Sequence, residues 1–184
     1  MFASPVQSNW RFYVENIHDF GIQQPAIFFI KNCMNERTYA LGSRIASSVL
    51  QTHLPHSFKH ITEEQRIITE IQSGCSNAPD LHTEVTLADS WNIPSAFNVI
   101  SSDKTKLIEL ICNQDAAIAA QPEAGVYAVG HIELKFKLNE IKPLKITKLE
   151  SNWLKEIIQG AECFAFLMPN VMFISHKEKI VKIK

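Results

Sequence analysis

Near its start the chain alternates Trp10, Phe12 and Val14 with Arg11, Tyr13 and Glu15, the period of a half-buried strand. The apolar run AIFFI that follows Pro25 predicts a second strand. Between Asn35 and Thr52, Leu41, Ile45 and Val49 recur at four-residue spacing and predict a helix. ITEEQRIITEIQSG reads as another helix. Thr62 and Gln65 have capping-box spacing, Ile67, Ile68 and Ile71 share a face, and Gly74 supplies a stop. Asp103 is placed to cap a helix carrying Leu107, Ile108, Leu110 and Ile111. Ser151 is placed to cap a short one through Trp153, Leu154, Ile157 and Ile158, which Gly160 closes. Between them GVYAVGHIELKFKL alternates throughout. Val126, Ala128, Gly130, Ile132, Leu134, Phe136 and Leu138 point one way; Tyr127, Val129, His131, Glu133, Lys135 and Lys137 point the other. KPLKITKL continues extended, and two or three short strands finish the chain. Helices therefore dominate the first two-thirds and strands the last third, with two strands at the start. That order predicts an α+β fold, its mostly antiparallel sheet built from the N-terminal strands and the last third.

Composition narrows the reading little. A length of 184 residues suits one domain, 1–184, and no repeat or long linker divides it. An apolar share of 46% and a charged share of 20% exclude wholesale disorder. The formal charge of −1 gives no global pull toward nucleic acid or membrane. Residues 131–184 are locally basic, with ten lysines against six acidic residues, yet the last arginine is Arg66. Arginine is the usual residue for bidentate phosphate and base-edge contacts, so these lysines read as solvated strand faces and nucleic acid is not an expected partner. Cys33, Cys75, Cys112 and Cys163 form no CxxC pair, which suits free thiols in a reducing compartment. MFASPVQSNW lacks the basic and apolar regions of a secretory signal, and the longest uncharged apolar stretch, Cys163 to Ile174, is too short to span a bilayer. These features predict a cytoplasmic protein where it is made, with delivery into another cell by a signal-independent route left open, and no membrane partner.

Several constellations look chemical. Strand residues two apart project side by side, so His131, Glu133 and Lys135 form one polar row with Tyr127. IELK also satisfies the E-x-K half of a Mg²⁺-dependent nuclease site, but that chemistry needs an upstream Asp, and Asp80 and Asp115 are poorly placed for it. His53, His56 and His60 recur at metal-ligand spacing around Pro55, which favours a loop bearing surface histidines. His82-Thr83-Glu84 is half of a zinc-deaminase motif without its P-C-x-x-C. Glu84 fits equally the first turn of a helix capped by Asp80. No bound metal is expected.

The tail SNWLKEIIQGAECFAFLMPNVMFISHKEKIVKIK resembles the end of RES-domain proteins, relatives in fold of ADP-ribosyltransferase-like toxins. Trp153-Leu154 matches that family's Trp-Leu, and Leu167-Met168-Pro169 its Leu-x-Val-Pro, with Asn170 where the family has Ser. In a second alignment Asn170 matches the family's Asn, Val171, Met172 and Phe173 its aliphatics, and His176 its His. About fifty residues carry the likeness. YALGSRIASSVLQTHLP is similar in shape to the family's Glu-bearing helix but holds no Glu, and the family's Gly-Gly-Arg-Trp-Asn segment has no counterpart here.

The resemblance implies a domain that consumes NAD⁺, a small toxin or effector with a cognate antitoxin or protein target. NAD⁺ would be its substrate. It assigns Arg11 to the phosphates, Tyr127 to stacking on nicotinamide and Asn170 to the cofactor. Glu133 becomes the acid that stabilises charge at the ribose, with His131 beside it. The competing expectation is a non-catalytic binder of the immunity, antitoxin or adaptor kind. A Mg²⁺-dependent nuclease using Glu133 and Lys135 is the third.

Overall fold

The fold is taken from a computed structural model that describes residues 5–14, 17–22, 25–160, 162–169 and 172–183. In chain order the elements are β1 (Gln7–Val14), β2 (Ala26–Met34), α1 (Arg37–Ala46), β3 (Thr52–His53), β4 (Ser57–Thr62), β5 (Arg66–Gln72) and β6 (Leu81–Leu87). There follow α2 (Lys104–Cys112), β7 (Ala116–Ala120), β8 (Val126–Lys135), β9 (Lys142–Glu150), α3 (Asn152–Ile158), β10 (Ala165–Leu167) and β11 (Met172–Lys182). Helices and two sheets in this order make an α+β chain.

The residues gather into two compact units. The first comprises Met1–Leu54, Leu110–Lys135 and Met172–Lys184; the second comprises Pro55–Glu109 and Phe136–Val171. In the first unit the strand order is β1-β2-β7-β8-β11, with β3 beside β2. β2 runs parallel to β3 and β7, and the remaining pairs are antiparallel. Both faces of this sheet are buried at its centre. One face carries Ile27, Phe29, Ala117, Ala119, Ala128 and Ile132, covered by Val49. The other carries Ala26, Ala116, Ile118 and Val129, with Ile22, Phe20, Phe28 and Tyr127 around them. Two-sided burial explains AAIAA in β7, which has no polar alternation to offer. The paired side chain of Asn32 is buried here too, donating to Thr52 Oγ1 at 2.7 Å and accepting from Gln7 at 2.8 Å.

The second unit holds the antiparallel sheet β10-β9-β6-β5-β4. Here the sequence expectation needs correction. Residues 61–74, read as a capped helix, instead run through the end of β4, the hairpin turn and β5, with Thr62 opposite Ile67 and Ser57 opposite Gln72. Four of the five residues from Ile67 to Ile71 are β-branched, a composition that is stiff in a helix and packs well on a pleated surface. Residues 81–87 are likewise strand β6, so Asp80 caps no helix ahead of Glu84. Its carboxylate accepts from the Asn152 backbone N–H at 3.0 Å. The other two caps form as read: Asp103 accepts from the backbone of Thr105 and Lys106, and Ser151 from Leu154.

Candidate functional site

The polar face of β8 has three different environments along its length. Tyr127 is half-buried, its ring edge-on to Phe20 at 5.1 Å and near Phe28 at 6.5 Å. His131 is exposed and its ring stacks on that of His176, directly opposite in β11, at 6.0 Å. Glu133 and Lys135 pair at 3.5 Å with both side chains more than half exposed. Asn170 lies outside the described residues.

Arg11 stands apart from this row. Its register partners run Arg11 to Phe29, Phe29 to Ala119 and Ala119 to Ala128. Paired residues share a face, so Arg11 lies on the Ala128 face, and Tyr127, His131 and Glu133 lie on the other. Three strand spacings, about 14 Å, add to the separation. The guanidinium sits 5.6 Å over the Tyr13 ring and donates to its hydroxyl at 3.3 Å; that hydroxyl donates to the Ile111 carbonyl at 3.1 Å. The sheet therefore brings His131 and Glu133 together with Tyr127 on one face and leaves Arg11 on the other.

Beside His131 the edge strand β11 is irregular. His176 pairs with His131 and Lys179 with Val129, so Lys177 and Glu178 together oppose Gly130. Lys177 is left-handed, at φ 54°. A hollow of about 120 Å³ opens there, lined by Gly21, Ala116, Gly130, His131, Lys177 and Lys179. Glu178 is turned to the opposite face. Its carboxylate accepts from the hydroxyls of Ser47 and Ser175 and from the Ser48 backbone N–H at 2.7 Å.

In the second unit, sheet register assembles residues that the sequence scatters. Glu70, His82 and Glu150 stand opposite one another across β5, β6 and β9. They line a cleft of about 520 Å³ with His56, Asp80 and Lys155. His82 Nε2 is 3.0 Å from Glu84, whose other oxygen receives the Arg66 guanidinium. The His82 hydrogen bond first, and then Arg66, hold the Glu84 carboxyl below its usual range. The three spaced histidines part company: His53 lies in β3, His60 in β4 and His56 between them. Burial, then Lys31 and Arg44, push the His53 imidazole down. Among the described residues no three His, Cys, Asp or Glu side chains converge as metal ligands. No helix among them is long and apolar enough to cross a membrane.

One helix face is conspicuous. In α1, Ala40 is buried, whereas Leu41 is 59% and Ile45 80% exposed. Residues four apart lie one above the other, so the two make an apolar stripe. Arg37 and Arg44 flank it, and α1 contains no acidic residue.

Comparison with known protein families, curated proteins and solved structures finds no match to this chain.

Proposed function

We propose that this protein is a binding partner of another protein, of the immunity, antitoxin or adaptor kind, and that α1 carries the contact. One observation bears most of the weight: two aliphatic side chains four residues apart on α1 face solvent beneath two arginines. Burying what is exposed of both would contribute about 2–4 kcal/mol, enough to help anchor a contact. The partner surface is correspondingly apolar with a carboxylate rim complementary to the charges of Arg37 and of Arg44, whose Nε also donates to the Thr52 carbonyl. The NAD⁺ reading requires Arg11, Tyr127 and Glu133 around one ligand, and the register sets Arg11 on the far face of the sheet. The geometry thus supports the binder better than the transferase.

The test pairs capture with an enzymatic assay. Immobilised wild-type protein should retain one stoichiometric partner from its native cells. The Leu41→Glu/Ile45→Glu double variant, whose far-UV circular dichroism should match wild type, should lose it. Equal capture by both proteins would overturn the assignment of α1. Release of nicotinamide from NAD⁺ by the wild type, abolished in Glu133→Ala, would replace this reading with the transferase.

A further inference from the structure

We infer that the hollow beside the irregular stretch of β11 is a binding site for a phosphate-type oxyanion. The proposal concerns a place and a ligand that the α1 reading does not use. It begins with parity. A regular strand sends successive side chains to opposite faces, so His176 and Lys179, three apart, should face opposite ways. The extra residue of the bulge resets the count. His176 now shares the face of His131, and Lys179 that of Val129, while Glu178 is sent through to the opposite face. There its carboxylate is taken up by Ser47, Ser48 and Ser175. Two lysines and two imidazoles are thereby gathered on one side, and the intervening carboxylate is removed from them.

The surroundings complete the site. Lys179 Nζ lies 3.5 Å from where a Cβ on Gly21 would be, which places the ammonium against the Gly21 backbone. Gly21, Gly130 and Ala116 form walls with the apolar side chains of Ile22 and Val129, and His131 and Lys177 line the remainder. Among the described residues no carboxylate lines the hollow. Lys177 and Lys179, like several other lysines among the described residues, have no glutamate or aspartate partner, so both charges are available to a ligand. Lys177 is held in the left-handed region, which is strained for any residue with a Cβ. Two ammonium groups beside the same small hollow also repel. A bound oxyanion offsets that repulsion by accepting charge-assisted hydrogen bonds from both. The volume of about 120 Å³ admits the anionic group and excludes the body of a larger ligand, whose sites run from roughly 300 Å³ upward.

The experiment uses the full chain and inorganic phosphate at constant ionic strength, following thermal unfolding and the ³¹P line width. Saturating phosphate should raise Tm by roughly 2 °C or more, because a ligand held only by the native state stabilises it. Potassium chloride at matched ionic strength should not. Lys179→Ala should weaken phosphate binding at least tenfold, and Lys59→Ala, on the exposed β4, should leave it unchanged. Lys177→Gly serves as the second variant. It relieves the left-handed strain while removing a charge, so its Tm without phosphate should rise and its phosphate response should vanish. Ribose 5-phosphate separates the two sources of the anion: a response like that of phosphate assigns the hollow to a group borne on a ligand, and its absence to the free ion. Equal shifts with potassium chloride, or an undiminished response in both Lys179→Ala and Lys177→Gly, would overturn the proposal.

Discussion

Glu178 ties the loop after α1 to the edge strand of the first sheet, and it does so with one carboxylate. Hydrogen bonds to a charged acceptor contribute about 1.5–3 kcal/mol each when the donor has no alternative partner. Ser48 N–H is exposed and can turn to water, so the net figure is smaller than the sum. Glu178→Ala is expected to lower unfolding free energy by about 2 kcal/mol in urea, and Glu178→Gln, which keeps one carbonyl acceptor, by less. Glu84 gives a pH signature. Its carboxyl lies below the usual range, so the stability it contributes is complete above the unfolded value of about 4.3 and is lost as pH falls through the folded one. Arg66→Ala should therefore lower Tm at neutral pH, and its difference from wild type should shrink in melts taken at increasingly acid pH. The thiols divide by burial. Cys33 is pushed up to about 12 by burial, against the lowering influence of Lys31, and burial raises Cys112 as well despite Arg11. Cys75 and Cys163 are exposed. A thiol reagent should modify those two rapidly in the native protein and reach Cys33 and Cys112 only on unfolding. None of these partnerships is visible in the sequence, because each joins residues from different elements.

At the scale of elements the helix–strand distinction turned on which signal outweighed the other. The helices Lys104–Cys112 and Asn152–Ile158 fall where apolar spacing and a cap residue agreed, whereas α1 has no side-chain cap, ends before Val49 and leaves Leu41 and Ile45 exposed. In ITEEQRIITEIQSG spacing and capping box also agreed on a helix, yet strands formed. The spacing of Ile67, Ile68 and Ile71 fits a helix face, but β-branching favours a strand, and pairing with β4 and β6 settles the matter. The turn Glu63–Gln65 replaces the capping box, with Glu63 N–H donating to the Arg66 carbonyl at 2.8 Å. Two glycines test the element boundaries in opposite directions. Gly74 is left-handed at φ 58°, and a Cβ there would come within 2.7 Å of His56 Cβ. Gly74→Ala should cost at least about 1–3 kcal/mol. Gly42 lies inside α1 with open space around it, so Gly42→Ala should stabilise by about 0.5–1 kcal/mol. Chemical denaturation of both variants measures the contrast.

Across the whole molecule, chain order and spatial order diverge. The first unit takes its central strand β7 and its neighbour β8 from mid-chain and its edge strand β11 from the end. Val181 of that last strand packs near Tyr127, and Glu178 secures the loop over Val49. A chain ending at residue 171 would leave the β8 edge unpaired and the Val129 cluster uncovered. It should be insoluble or lack the near-UV signal of packed aromatics, which expression and circular dichroism would show. Native-like spectra from that truncation would refute the role given to β11.

The α+β class, the caps at Asp103 and Ser151, and the long alternating strand were determined by local order, because periodicity and capping act over a few neighbouring residues. The candidate site was legible only in part. His131 is visible in its polar row, but Lys177 and Lys179 read as solvated lysines until the bulge turns them to one side and Glu178 to the other. Arg11 shows the same limit in reverse. Its place beside Tyr127 and Glu133 was plausible along the chain, and the pairing of four strands put it on the opposite face. Which side of a sheet a residue occupies depends on register, and register is set by hydrogen bonds between segments distant in sequence. That was decided by the tertiary structure alone.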